Sequence, residues 1–307
     1  MDIMLTLEQM LVMLIMLIVG VVCARTGVID ADGNRKITRF TLAVPQSCMI
    51  LASAINIEFE INAAKLAAVF FSGFVMYAVL LALGALVWLA LGKKNGQREL
   101  YAFMTVFGNV GFMGFPVVGA LLGGEALLYA SLLLVPFNLL AYSVGVMMIK
   151  GELRGGVRFD WKILLSPPMI ATYAAVALLF LRVPVPAPVE RAVDAMGDMI
   201  VPLSMIIVGA SLGDMPLKKA LGDWCCYAFS AFRLLAVPAA VHFVMGMFVR
   251  SGLVLGTMTV QAGMPVAAVA AMLALQYGRN SELASRTVFV STVLSTLTIP
   301  LVCWGLL

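Results

Sequence analysis

Gly114-Phe115-Pro116-Val117 and Gly263-Met264-Pro265-Val266 decide how this chain folds. The first lies inside the hydrophobic segment Tyr101–Leu122 and the second inside Leu253–Tyr277, about 150 residues further on. A second pair of echoes precedes them: Val44-Pro45-Gln46-Ser47 with Ile50 is repeated as Val201-Pro202-Leu203-Ser204 with Ile207. Proline removes a backbone donor and clashes with the carbonyl four residues back, so it breaks or kinks a helix. In a membrane such irregular backbone survives only where protein or a water-filled cavity receives the freed polar groups. Broken helices at matching places in two halves of a chain point to a transporter's binding site.

Composition agrees with a membrane protein. Hydrophobic residues make up 63% of the chain and charged residues 12%, about half the charged share usual in soluble domains. Ten segments come close to the length needed to cross roughly 30 Å of hydrocarbon. They are Leu5–Cys23, Thr38–Ile55, Ala64–Leu91, Tyr101–Leu122, Ala126–Ile149, Ile163–Leu181, Ala192–Gly213, Asp223–Val249, Leu253–Tyr277 and Leu283–Leu307. The expected fold is therefore all-α and integral to the membrane, with short connections and no attached soluble domain.

Basic residues set the expected orientation. Of the 20 Lys and Arg residues, 15 lie in or beside the connections after segments one, three, five, seven and nine; 4 follow the even-numbered segments. The positive-inside rule puts the odd connections in the cytoplasm and both termini outside. Asp2 and Glu8, with no basic residue before Arg25, fit an outside N-terminus and speak against a cleaved signal peptide. The net charge of +4 follows from this loop bias and calls for no nucleic-acid partner. The longest basic connection, running from Lys150 to Lys162, divides the chain into a first five-helix repeat at 1–150 and a second at 163–307. An odd count per half inverts the second repeat, pairing segment two with seven and four with nine.

Few residues suggest chemistry on a substrate. His242 is the single histidine, no Gly-x-Ser-x-Gly elbow or phosphate loop is present, and the five cysteines lack metal-ligand spacing. No catalytic residue, cofactor or metal is expected. His242 reads as a packing or interfacial residue of segment eight, with a proton relay as the alternative. Arg233, inside the same segment, is expected to snorkel toward the cytoplasmic headgroups, with a substrate-related role as the alternative because charge at depth is costly. Asp194 and Asp198 share one stripe of segment seven with Pro202. They form either an interfacial polar stripe or a proton or cation coupling site. Glycine pairs such as Gly209/Gly213 permit close helix approach.

Asn109, seven residues before Pro116, and Gln261, four before Pro265, are the leading substrate-binding candidates. An uncharged carboxamide can donate to an anion without leaving a permanent buried charge. A half-helix beginning after each proline would add unpaired N–H groups and a positive dipole end. Together the two breaks would cradle a carboxylate. Gly114, Pro116, Pro265 and Ser47, from the motifs themselves, complete the expected binding set. Alternatively the two amides only satisfy backbone groups freed by the prolines.

At these residues the chain resembles the auxin efflux carrier family, which includes plant auxin carriers and bacterial carriers assigned to malate or malonate. Arg39-Phe40 with Ala43-Val44-Pro45 resembles the family's second segment, and Asn109-x4-Gly114-x-Pro116 closing on Gly123 its fourth. Val260-Gln261-Ala262-x-Met264-Pro265 through Gln276-Tyr277 resembles the ninth, and Ser291-Thr292 to Pro300 the tenth. The resemblance implies ten transmembrane helices in two inverted five-helix repeats. Helices one, two, six and seven would form a scaffold; the others would form a moving unit in which broken helices four and nine cross. It implies a homodimer moving a small organic anion through the inner or plasma membrane in an elevator-like cycle. The chain has no long cytoplasmic loop, carries Cys48 where plant carriers have serine, and has no acidic residue inside segment three. A small anion of the bacterial kind is expected rather than auxin. A sodium-coupled carrier like the bile-acid symporters, and a channel or membrane sensor, are the competing readings.

Overall fold

The computed structural model describes residues 3–55, 63–91, 96–111, 113–151, 164–181, 184–213 and 223–307. The connection expected from Lys150 to Lys162 lies outside them beyond Gly151. Helices α1 Ile3–Arg25, α2 Ala31–Ala43, α3 Pro45–Ile55 and α4 Ala63–Ala90 are followed by α5 Arg98–Val106, α6 Gly114–Leu122, α7 Gly124–Leu140 and α8 Val146–Lys150. Then come α9 Pro167–Leu181, α10 Ala187–Asp198, α11 Ile200–Gly213, α12 Trp224–Ala231, α13 Val237–Gly246, α14 Gly252–Ala262, α15 Ala268–Gln276 and α16 Ser281–Leu306. One-turn π-helices, Ala141–Gly145 and Phe232–Ala236, join α7 to α8 and α12 to α13. No strand occurs among the described residues; the backbone makes one isolated antiparallel bridge, between Gly108 and Val266.

The helix limits follow from local chemistry. Asp30 caps α2 by accepting from the Gly33 N–H at 2.7 Å, and Asn280 caps α16 by accepting from Leu283 at 2.9 Å; both are favoured N-cap residues. Pro45 splits the second segment into α2 and α3, since its ring nitrogen cannot donate. The fourth and ninth segments are each broken, between Val106 and Gly114 and between Ala262 and Ala268. The first break comes earlier than the expected position after Pro116. Pro116 sits within the first turn of α6, where its missing donor costs nothing because those N–H groups have no partner within the helix anyway.

Among the described residues, five helical stretches are long and apolar enough to cross a membrane: Ala67–Ala90, Gly124–Lys150, Ala187–Gly213, Trp224–Gly246 and Ser281–Leu306. Shorter apolar helices include Leu11–Arg25, Pro167–Leu178 and Gly252–Ala262. Their outward faces carry Ile15, Ile18, Leu89, Phe243, Leu297 and Trp304, all exposed, a surface suited to lipid and not to water.

Two groups of helices pack internally. In one, α1 lies along α11, while α3 contacts α9 and α10 and α2 contacts α11. The α1–α11 approach is backbone to backbone: a Cβ added to Gly20 would meet the Ile206 carbonyl oxygen at 2.3 Å, and one added to Gly209 would meet that of Leu17 at 2.0 Å. Only glycine permits that separation. In the other group, α4 packs on α5 and α7, α14 on α6, α7 and α13, and α16 on α12 and α15. The seam between the groups passes α2 and α3 on one side and the two helix breaks on the other.

Candidate functional site

The two breaks are joined. The Asn109 N–H donates to the Pro265 carbonyl at 2.7 Å and the Ala267 N–H to the Phe107 carbonyl at 3.2 Å. Each break thereby supplies partners for backbone that its own helix has released, as burial requires. Gly114 N–H returns to the Asn109 carbonyl at 3.0 Å, and Ser291 Oγ receives the Val266 N–H at 3.1 Å. Breaks four and nine therefore form one buried unit, tied by main chain.

A small cavity of about 20 Å³ lies against it, lined by Gln46, Met49, Gly108, Asn109, Tyr142 and Val269 among others. The Asn109 carboxamide is buried and makes no side-chain hydrogen bond among the described residues. Gln46, on the first turn of α3, is buried in the same state. The Tyr142 hydroxyl is buried without a partner among the described residues. Ala267 and Val269 bring the start of α15 to the cavity wall, where the first N–H groups of a helix lack partners within it. Every polar side-chain group gathered here can donate, and none is an acid. A cavity of this size holds about one water, less room than a carboxylate needs. Tyr142 also lines a second cavity of about 90 Å³ with Arg39, Ser166 and Gln276. The Ser166 hydroxyl is buried there without a partner among the described residues.

The expected site residues are distributed unevenly around this centre. Asn109 is at the cavity, and Gly114 lies beside it, hydrogen-bonded to the Asn109 carbonyl and within 3.6 Å of Met264 through an added Cβ. Pro265 takes part through its carbonyl. Gln261 faces elsewhere: its Nε2 donates to the Ala130 carbonyl of α7 at 3.2 Å, and its Oε1 is buried without a partner among the described residues. Ser47 donates to the Ala43 carbonyl at 2.8 Å, bridging the α2–α3 kink. Asp194 is half-buried and Asp198 exposed, both on α10, and neither lines the cavity.

Arg233 does not snorkel to headgroups. It is 1% exposed, and its guanidinium donates through Nε to the Met104 carbonyl at 3.1 Å and through Nη1 to the Ala262 carbonyl. It reaches the breaks because the α12–α13 π-turn carries it inward and because Gly108 leaves room; a Cβ there would lie 2.4 Å from Nη2. His242 faces Thr259 of α14, Nδ1 to Oγ1 at 3.0 Å. Sequence reasoning missed Gln46 and Tyr142 as cavity residues. A signal for Gln46 existed, since it is the position at which the Pro45 and Pro202 echoes differ, polar in one and leucine in the other. Tyr142 carries no motif.

Apolar helices with lipid-suited faces, enclosing two broken helices that meet main chain to main chain over a small donor-lined cavity, define a multi-pass membrane protein of the transporter class. The sequence profile of the membrane transport protein family matches residues 5–157 and 156–303. The chain belongs to that family, the auxin efflux carriers that its motifs resemble. It is similar to an uncharacterized transporter of Methanocaldococcus jannaschii, 24% identical over 316 residues that cover 99% of this chain and 100% of the relative. An uncharacterized transporter of Methanothermobacter thermautotrophicus is 28% identical over 210 residues, 68% of this chain and 67% of the relative. A Rhizobium meliloti protein, named provisionally as a malonate transporter, is 24% identical over 238 residues, 74% of this chain and 72% of the relative.

Proposed function

We propose that this transporter is a secondary carrier for a small organic anion, a carboxylate of the size of malonate or malate. The cavity at the helix breaks carries the proposal: the Asn109 and Gln46 carboxamides and the Tyr142 hydroxyl meet there without hydrogen-bond partners among the described residues. Buried polar groups are normally satisfied, so three unsatisfied donors on one small cavity are best completed by an acceptor that arrives with the substrate. The start of α15 adds a positive helix end, which favours an anion. The name of the Rhizobium meliloti relative puts malonate on the list of substrates to test.

Movement follows from the seam. In this reading α1–α3 and α9–α11 are the static body, and the remaining helices carry the joined breaks past it in an elevator-like, alternating-access cycle. The matched breaks and matched Pro45 and Pro202 motifs support two inverted five-helix repeats, 1–150 and 163–307, linked through 151–162. The cavity holding Arg39 leads to Tyr142 and supplies an access route whose basic residue attracts anions. The exposed apolar faces serve lipid and a homodimer contact, with the termini extracytoplasmic and 150–162 cytoplasmic in the inner membrane.

Uptake by proteoliposomes against a panel of labelled mono- and dicarboxylates, under imposed potential or pH gradients, tests the proposal. Saturable uptake of a small carboxylate is expected. A folded protein that moves no member of the panel in either direction would overturn it.

A further inference from the structure

Each break ends one helix as well as beginning another. The last carbonyls of a helix lack intrahelical partners and carry partial negative charge. At this crossing two such ends, those of α5 and α14, are buried together away from water. Met104 lies in the last turn of α5 and Ala262 closes α14. Their carbonyls converge on one group, the Arg233 guanidinium, which reaches them from a third segment. Among the described residues no carboxylate lies within 4.0 Å of Arg233, and all its hydrogen bonds are to these carbonyls. A buried cation is ordinarily paired with an acid. Here its partners are the two helix ends.

Sodium-coupled carriers with broken helices commonly hold the coupling cation on unwound carbonyls and on the C-terminal ends of half-helices. We infer that Arg233 is the tethered cation of this crossing, occupying the place a diffusible sodium ion would otherwise take, so that transport is independent of sodium. The inference rests on the carrier reading above. It makes Arg233 a positioning residue: it locks the two C-terminal ends together and leaves the substrate cavity, on the far side of Gly108, to the N-terminal end of α15. It also gives the moving unit a permanent positive charge. A bound carboxylate offsets that buried charge, and the empty crossing keeps it.

Two measurements on the full-length protein separate this inference from the carrier reading. The first needs no substrate: thermal stability in detergent is compared in sodium chloride and in choline chloride at equal ionic strength. An ion that binds only the folded state raises stability with its concentration. The wild type is expected to melt at the same temperature in both salts, as is Arg233→Lys, which keeps the charge. Arg233→Met, which keeps bulk and removes charge, is expected to melt lower and to regain stability selectively with sodium. The second compares uptake of labelled malonate with sodium or choline outside, expected to be equal for the wild type. If no panel carboxylate moves, the carrier reading fails while the stability comparison still tests the cation. Selective stabilisation of the wild type by sodium, or sodium-stimulated uptake, would overturn the inference. So would an Arg233→Met protein as stable as wild type in choline. Should Arg233→Met fail to fold, Arg233→Lys decides: folded and indifferent to sodium upholds the inference, and stabilised by sodium overturns it.

Discussion

Asn109→Ala separates binding from folding because the two depend on different parts of the residue. Its backbone ties the breaks together, donating to Pro265 at 2.7 Å and accepting from Gly114 at 3.0 Å, and alanine keeps both bonds. Its carboxamide, 3% exposed, makes no hydrogen bond to the described protein and faces the cavity. Truncation thus removes no native contact of consequence, and the melting temperature is expected to stay near that of the wild type. A hydrogen bond to a charged group contributes roughly 1.5–3 kcal/mol, which corresponds to about tenfold to a hundredfold in Kd. Asn109→Ala should weaken carboxylate affinity by that factor, measured by concentration-dependent uptake or by ligand-induced thermal shift on purified protein. Asn109→Asp should be worse, because a carboxylate there repels the substrate. A well-folded Asn109→Ala protein with wild-type affinity would refute the reasoning. So would a large loss of stability with affinity intact, which would make the amide a repair for the break and not a substrate ligand.

Gln46→Ala, at the same cavity, is expected to lower affinity by a similar factor, whereas Gln261→Ala, whose amide contacts Ala130, should lower melting temperature and leave affinity in place; paired titrations check both. Gly209→Val should destabilise by about 1–3 kcal/mol or more through overpacking, since the added Cβ falls 2.0 Å from the Leu17 carbonyl oxygen; an unchanged melting temperature would contradict the α1–α11 packing. A cysteine placed at Gly155, in an otherwise cysteine-free protein, should resist membrane-impermeant reagents in intact cells and label in inverted vesicles. Labelling from outside would reverse the proposed orientation.

The helical class and the two breaks were legible because their signals are local. Apolar runs, capping residues and prolines act within a turn or two, and Pro265 does interrupt its helix. Pro116 shows the limit of such reading. Proline marks a helix start as readily as a helix end, and only the Asn109–Pro265 pairing shows that the chain unwinds from Phe107 onward. The candidate site was legible in part for the same reason. Asn109 could be picked out beside its break, but Gln261, equally close to its own, points toward Ala130. The side a residue faces depends on where segment five packs, which no short motif encodes. Arg233 was misread because burial cost was weighed against an exit to the surface, without the two helix ends that offset that cost inside. Those carbonyls come from Met104 and Ala262, 129 and 29 residues away in sequence.

The two kinds of helix end at the crossing are treated differently, and that asymmetry argues for an anion substrate more strongly than any single side chain. The C-terminal ends of α5 and α14 present carbonyls, and the fold satisfies them internally with the Arg233 guanidinium. At the other side, the start of α15 and the unpartnered donors of Gln46, Asn109 and Tyr142 are left facing a cavity. Had the fold only needed to repair its breaks, acceptors on that side would have served, and a single aspartate would do. None lines the cavity. A built-in aspartate would also compete with a carboxylate for the same donors and cancel the field that attracts it. Leaving donors unsatisfied costs stability, on the order of 1–3 kcal/mol for each buried group, and a transported anion recovers that cost only while it is bound. In the proposed carrier such a site would be completed and vacated in turn, as an alternating cycle requires.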